Sequence, residues 1–367
     1  MTDKTISAVK IAPKQTEIRE FDLPLIPEDA GLLKVTAAGV CGSDVGGYAR
    51  ALPENAANIM GHENVGYIER IGAVAAEQWG LKPGDRVALE EYLPCLRCDW
   101  CSVGEYRLCA RADRLALGMI RYGTTPITKS PALWGGFGHF MYLHPNSVFH
   151  RLPESIPDEY AVAALPMGNG VQWAKIEGGV GPGKSILIQG PGQQGIGCVI
   201  ASKEAGAARI IVAGLTRDRR RLEVARHCGA DEVIDVQTED LRTRVDLLTE
   251  GRGVDIVVDV TGGSANTVLA GIDVLKNKGG TLVIQGGEFD HFSFEQVTRK
   301  YITIKSCRGH SYAAVEEAIA TIASGKYPFN EVCSHRFGLS GVDTAIRATA
   351  GEGITDAIHV SVFPWED

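Results

Sequence analysis

The chain runs to 367 residues, with 37 Lys+Arg against 45 Asp+Glu, a formal charge of -8 and 44% hydrophobic residues. At roughly 150 residues per domain, this length accommodates about two domains with cores of their own, and the acidic balance argues against nucleic acid or an anionic membrane as the main partner. No apolar stretch approaches the ~18–20 residues that span a bilayer, and Met1-Thr2-Asp3-Lys4 leads into no signal-type apolar run, which points to the cytoplasm.

In chain order, residues 1 to about 155 read as β-rich. Short runs such as Leu32–Ala37, Asn64–Ile71 and Arg86–Glu91 are separated by turn signals such as Lys82-Pro83-Gly84-Asp85, which suits a barrel-like or sandwich-like domain. Two short constellations fall inside it, Cys41-Gly42-Ser43-Asp44 and Gly61-His62-Glu63. A thiolate and an imidazole can ligate a catalytic zinc that keeps a position open; taken singly, each is equally a buried Cys or a core His. Of nine cysteines, four crowd into Cys95-x2-Cys98-x2-Cys101-x7-Cys109. In a reducing compartment such a cluster reads as a metal site before it reads as disulfides. Four soft ligands in so small a loop suit one tetrahedral, closed, structural Zn²⁺. The neighbouring Glu90, Glu91, Asp99 and Glu105 argue against a zinc ribbon that binds nucleic acid.

The period then changes. Ser185–Gln189, Ile210–Val212, Glu232–Asp235, Val254–Asp259, Thr281–Ile284 and Ile302–Ile304 are short apolar runs, most of them separated by helical patterns such as Asp218–Cys228 and Ser264–Lys276. Strands alternating with helices imply βαβ units and a doubly wound parallel sheet. Gly190-Pro191-Gly192-Gln193-Gln194-Gly195-Ile196-Gly197 follows the first run and opens a helix. In that setting it is a dinucleotide fingerprint, because the glycines let the backbone approach a pyrophosphate at a helix N-terminus. Ala313–Ser324 patterns as a helix, and Ala357–Phe363 as a closing strand.

Together these residues resemble the zinc-dependent alcohol dehydrogenases of the medium-chain dehydrogenase/reductase superfamily. The resemblance rests on Gly39-Val40-Cys41-Gly42-Ser43-Asp44, Gly61-His62-Glu63-x2-Gly66, the four-Cys lobe, Gly190–Gly195 and His335-Arg336-Phe337, and covers nearly the whole chain. It implies an α/β fold: a GroES-like β-rich catalytic domain over 1–156, a Rossmann domain over 157–298, and a return segment over 299–367 that completes the first. It also implies hydride transfer between a small-molecule alcohol, secondary or polyol-like, and NAD(P), in a homodimer or homotetramer. Cys41 and His62 match two catalytic zinc ligands. Asp44 matches the carboxylate that orients the ligating imidazole, and Ser43 the hydroxyl that takes the substrate proton.

Two departures stand out. Where many members carry a His that relays the proton outward, this chain has Gly46. The window Leu165–Gly170, where a third zinc ligand is usual, holds no Cys, Asp or Glu. Two ligands bind Zn²⁺ weakly, so Glu63, adjacent to His62, is expected to complete the set, ahead of Asn169 and, more weakly, Met167. At the cofactor, an acid about 20 residues past the fingerprint normally binds the ribose of NAD. Gly214 stands there instead, followed by Thr216, Arg217 and Arg219, whose guanidinium groups suit a 2′-phosphate. That favours NADP; the competing reading has Asp218 capping the next helix and the arginines merely solvated. Tyr48, Met119, Ile120, Tyr122 and Trp134 suggest an apolar-leaning substrate pocket, or simply a packed loop. Rival functions are a zinc-free reductase of activated double bonds and a non-catalytic dinucleotide-binding scaffold.

Overall fold

The computed structural model describes residues 3–113, 119–262, 264–286, 294–306 and 308–367. They divide into two units: Met1–Leu165 with Ile319–Ser324 and Cys333–Asp367, and Pro166–Ala318 with Gly325–Val332. Among the described residues, no helix is long and apolar enough to cross a membrane.

The first unit begins with β1 (Lys4–Ala12), β2 (Gln15–Asp22), β3 (Gly31–Gly39), β4 (Asn58–Ile59), β5 (Glu63–Ile71), β6 (Arg86–Leu89), β7 (Phe140–Leu143) and β8 (Phe149–Arg151). β1 and β2 make a hairpin whose turn places Lys14 at φ 57. That turn has no glycine and β2 is largely exposed, so neither strand shows in the sequence pattern. β3 is the organising strand. It pairs antiparallel with β5 and β7, and at its far end with the last strand of the chain. Its residues Leu32, Leu33, Val35 and Ala38 are fully buried, and they pack with Ile68, Val87, Leu89, Met141 and Leu143. Its register with β5 sets Gly39 opposite Glu63. Cys41, two residues beyond one strand end, and His62, one before the other, therefore arrive side by side.

The second unit holds β9 (Ser185–Gln189), β10 (Arg209–Gly214), β11 (Glu232–Asp235), β12 (Ile256–Asp259), β13 (Thr281–Ile284) and β14 (Thr303–Ser306). All pairs are parallel, in the order β11-β10-β9-β12-β13-β14. This is the doubly wound Rossmann order, which reverses direction between β9 and β12, where such sheets bind ligands. The α/β class expected from the alternating pattern is the one found. Because β14 pairs with β13, the second unit extends past residue 298, where the sequence reading ends it. An edge strand with an exposed face is assigned to its sheet by pairing, which composition does not record. The chain closes with β15 (Cys333–Phe337) and β16 (His359–Val362), which join the first unit's larger sheet.

Three of the five expected pocket residues belong to the core instead. Tyr48, Tyr122 and Trp134 are buried. The Tyr48 hydroxyl donates to Lys14 O at 2.7 Å, Tyr122 Oη lies 2.7 Å from Ser147 Oγ, and Trp134 Nε1 donates to Lys129 O at 2.9 Å. Each polar tip is satisfied locally and each ring packs inward, as large amphipathic side chains do in a core. Trp134→Ala is therefore expected to cost about 3–5 kcal/mol and to lower the melting temperature by roughly 10 °C. An unchanged melting temperature with an altered KM for alcohol would return this side chain to the substrate pocket.

Candidate active site and metal centres

Cys41 ends β3's extension and N-caps the helix Gly42–Ala49. Asp44, in the first turn of that helix, accepts a hydrogen bond from Cys41 N–H through Oδ2 at 2.9 Å. Its Oδ1 lies 3.3 Å from His62 Nδ1. One carboxylate thus fixes the cap and holds Nδ1 of the imidazole, leaving Nε2 to face a metal, the arrangement metal-ligating histidines require. Ser43 Oγ lies 3.3 Å from that Nε2 and is exposed. The donor atoms of Cys41, His62 and Glu63 all lie within 4.8 Å of one another. Asn169, the weaker candidate for third ligand, accepts from His310 Nδ1 at 2.9 Å through its amide oxygen, and Met167 is buried in the second unit.

Two residues that the sequence reading did not place here complete the surroundings. Glu91 Oε2 lies 3.7 Å from His62 Nε2. Arg121 pairs with Glu91 and lies over the Tyr92 ring at 5.4 Å. In the sequence, Glu91 is one of several acids near the cysteines, and Arg121 is a lone charge among apolar residues. The one available signal was a charged residue in an otherwise apolar segment.

The electrostatics suit a cation. Burial alone would lower the His62 pKa, yet the carboxylates of Asp44 and Glu91, with the Cys41 contact, hold it well above the usual imidazole range. Burial raises the Cys41 thiol, and the charge of Glu63 raises it further. A thiolate, an imidazole and a carboxylate at this spacing match the mixed sulfur, nitrogen and oxygen donors that zinc accepts.

The four-Cys lobe is a separate centre. Its sulfurs lie within 4.8 Å of one another, with Cys95–Cys101 at 3.9 Å and Cys98–Cys101 at 3.5 Å. Zn–S bonds of about 2.3 Å in a tetrahedron require sulfur pairs roughly 3.8 Å apart, so the donors fit the ion. The backbone N–H of Arg97 pulls the Cys95 thiol down to about 6, whereas burial pushes Cys101 up to about 12. Among the described residues, the buried centre of this lobe consists of Tyr92, Cys101, Cys109 and Ala112, with Cys95, Cys98 and Tyr106 packed against it.

In the second unit, Gly190 sits at φ 103, and a Cβ on Gly195 would fall 1.9 Å from Gly190 O. The turn is thus closed to side chains at both ends. Gly192 caps the helix Gln193–Glu204 without a side-chain hydrogen bond, and nothing lies within 4 Å of where its Cβ would be. Open first-turn N–H groups beneath a bare backbone fit a pyrophosphate. Gln193 and Ile196 are buried, the latter fully, where the helix meets the sheet. Gln194 Oε1 is buried with no hydrogen-bond partner among the described residues. Gly214, at the end of β10, faces the loop: a Cβ there would approach Pro191 Cγ to 2.9 Å. Asp218 is buried; its carboxylate accepts from Leu215 N–H at 3.0 Å and from Arg221 Nη1 at 3.1 Å, which turns it inward, although it makes no side-chain cap bond to the helix Arg219–His227 that follows it. Thr216 Oγ1 donates to Asp235 Oδ2 at 2.7 Å, and Arg217 and Arg219 are exposed.

Comparison with known proteins agrees with this geometry. The alcohol dehydrogenase GroES-like domain family matches residues 27–154, and the zinc-binding dehydrogenase family matches residues 195–324. A probable alcohol dehydrogenase of Mycobacterium tuberculosis is 35% identical over 349 residues, covering 93% of each chain. A sorbitol dehydrogenase of Halalkalibacterium halodurans is 30% identical over 328 residues, covering 88% of this chain and 89% of its own. An Escherichia coli oxidoreductase/dehydrogenase of unknown specificity superposes with a TM-score of 0.85 at 28% identity, over 98% of this chain and 99% of the other. The protein is a medium-chain dehydrogenase/reductase, and it belongs to the zinc-dependent alcohol dehydrogenase family within that superfamily. It is accordingly an oxidoreductase that uses zinc and a nicotinamide dinucleotide.

So small an apolar centre leaves the lobe dependent on its ion for order. Chelation of the purified protein is expected to expose Arg97, Arg107 and Arg111 to trypsin while the zinc-loaded protein resists. Equal resistance before and after zinc removal would show that thiol packing alone orders the segment.

Proposed function

We propose that the protein is an NADP-preferring alcohol dehydrogenase whose reacting centre is a zinc held by Cys41, His62 and Glu63. The observation that carries this reading is the convergence of those three donors within 4.8 Å, next to Ser43. When bound, the metal supplies a Lewis acid that lowers the pKa of an alcohol, and the nicotinamide supplies a hydride acceptor. The chain's own residues do the rest. Asp44 holds the His62 ring with Nε2 facing the metal position. Ser43 takes the substrate's hydroxyl proton, and because its side chain is exposed it passes that proton straight to water. A Cβ on Gly46 would meet nothing within 4 Å, so the space of the usual relay histidine is open to solvent.

Two features favour a hydroxylated, polyol-like substrate over a purely apolar one. The charged pair Glu91–Arg121 stands beside the metal-binding group, and the relatives include proteins named sorbitol dehydrogenase. For the cofactor, the side chain of Asp218 is turned inward and both carboxylate oxygens of Asp235 are engaged, by Thr216 Oγ1 and Gln237 N–H. No acid is thereby offered to a ribose 2′-hydroxyl from either position, while Arg217 and Arg219 stay exposed for a 2′-phosphate.

Metal analysis tests the centre. Wild-type protein is expected to hold close to two zinc ions per chain, and Glu63→Ala close to one with the fold intact. One zinc per active wild-type chain, lost only on mutation of the four-Cys lobe, would overturn the reading. Steady-state kinetics test the cofactor. Wild-type protein should favour NADP in kcat/KM, and removing both Arg217 and Arg219 should lower the NADP value by roughly 10- to 100-fold, the worth of one or two charge-assisted hydrogen bonds. The value for NAD should barely move. A strong NAD preference in the wild type would refute the assignment.

A further inference from the structure

His359 lies on β16, fully buried, and neither ring nitrogen has a hydrogen-bond partner among the described residues. Buried imidazoles ordinarily satisfy at least one nitrogen, because an unmet polar group away from water is unfavourable. The ring faces one polar group in particular: its Nε2 lies 3.8 Å from Glu63 Oε2.

The strand order explains the juxtaposition. β3 lies between β16 and β5, and Gly39 pairs with Ser361 on one side and Glu63 on the other. A Cβ on Gly39 would fall 2.4 Å from Glu63 Oε2 and 3.2 Å from His359 Nε2. Only a residue without a side chain leaves the space in which the ring and the carboxylate meet. Three strands therefore contribute one residue each to a single arrangement: a glycine that makes room, a carboxylate, and a buried donor behind it.

We propose that His359 is a positioning residue for Glu63, donating a ring N–H to one carboxylate oxygen so that the other is presented to the metal. This rests on Glu63 being a ligand. Ligating carboxylates are themselves held by hydrogen bonds from outer partners, which restrict their rotation and keep the free oxygen in the binding orientation. His359 touches neither substrate nor cofactor in this role; it acts through Glu63. Closing 3.8 Å to hydrogen-bond length needs only a small shift of the carboxylate, in the space Gly39 leaves.

The test measures zinc retention by the full-length holoprotein against a chromogenic chelator, with the four-Cys zinc as an internal marker of correct folding. His359→Leu is expected to weaken the second zinc about 10- to 100-fold, the usual consequence of removing such an outer partner. His359→Gln, whose amide can donate from a similar place, should recover most of that loss. In a Glu63→Gln background, His359→Leu should weaken the zinc no further. Gly39→Ala, which leaves His359 intact, should weaken it by crowding Glu63, and it serves as a second route if the leucine variant does not fold. Wild-type retention in both His359→Leu and Gly39→Ala, with zinc lost in Glu63→Gln, would overturn the positioning role and leave the ligand assignment standing. Wild-type retention in Glu63→Gln would overturn the ligand assignment, and this inference with it.

Discussion

Gathering a thiol and three carboxylates, those of Asp44, Glu63 and Glu91, around one imidazole in a water-poor site costs more than apolar packing returns unless positive charge sits among them. Arg121 supplies part of that charge at Glu91. His62, whose pKa the Asp44 and Glu91 carboxylates hold above the usual imidazole range, lies among these negative groups. A divalent cation would meet that need directly, with Cys41, His62 and Glu63 as the ligands we propose. The surrounding sheet reflects this constraint. β3 and β5 keep a register that brings Cys41 and His62 together, and the cap at Cys41 brings in Asp44.

The two units meet different chemical demands by different means. The metal centre is built from side chains with distinct donor atoms, each placed by the end of a strand or the start of a helix. The dinucleotide loop is built by leaving side chains out, so that backbone N–H groups at Gly192 and beyond are open to a phosphate. The four-Cys lobe is a third case. Among the described residues its apolar interior is so small that an ion held by the four cysteines would serve as its core.

Much of this is local in the chain and so was legible there. The cysteine spacing, the glycines at 190, 192 and 195, and the switch from short strands to strand–helix alternation each depend on residues a few positions apart. Glu63 was reachable because it adjoins His62. Polar residues whose role depends on a distant partner were not legible. Glu91 and Arg121 read as solvated charges until folding set them together beside His62. Tyr48, Tyr122 and Trp134 read equally as pocket or core, since a ring's direction depends on what packs against it.

The sequence by itself determined the class of fold, the fingerprint loop, the four-cysteine cluster and the Cys41-Gly42-Ser43-Asp44 and Gly61-His62-Glu63 segments, because each is encoded by spacing along a short segment. Tertiary structure alone decided that His359, near the end of the chain, stands behind Glu63 across Gly39, and that Asp218 turns inward while Arg217 and Arg219 stay exposed. Strand order and register create these neighbours. Residues that meet only through sheet pairing leave no periodic trace in the chain.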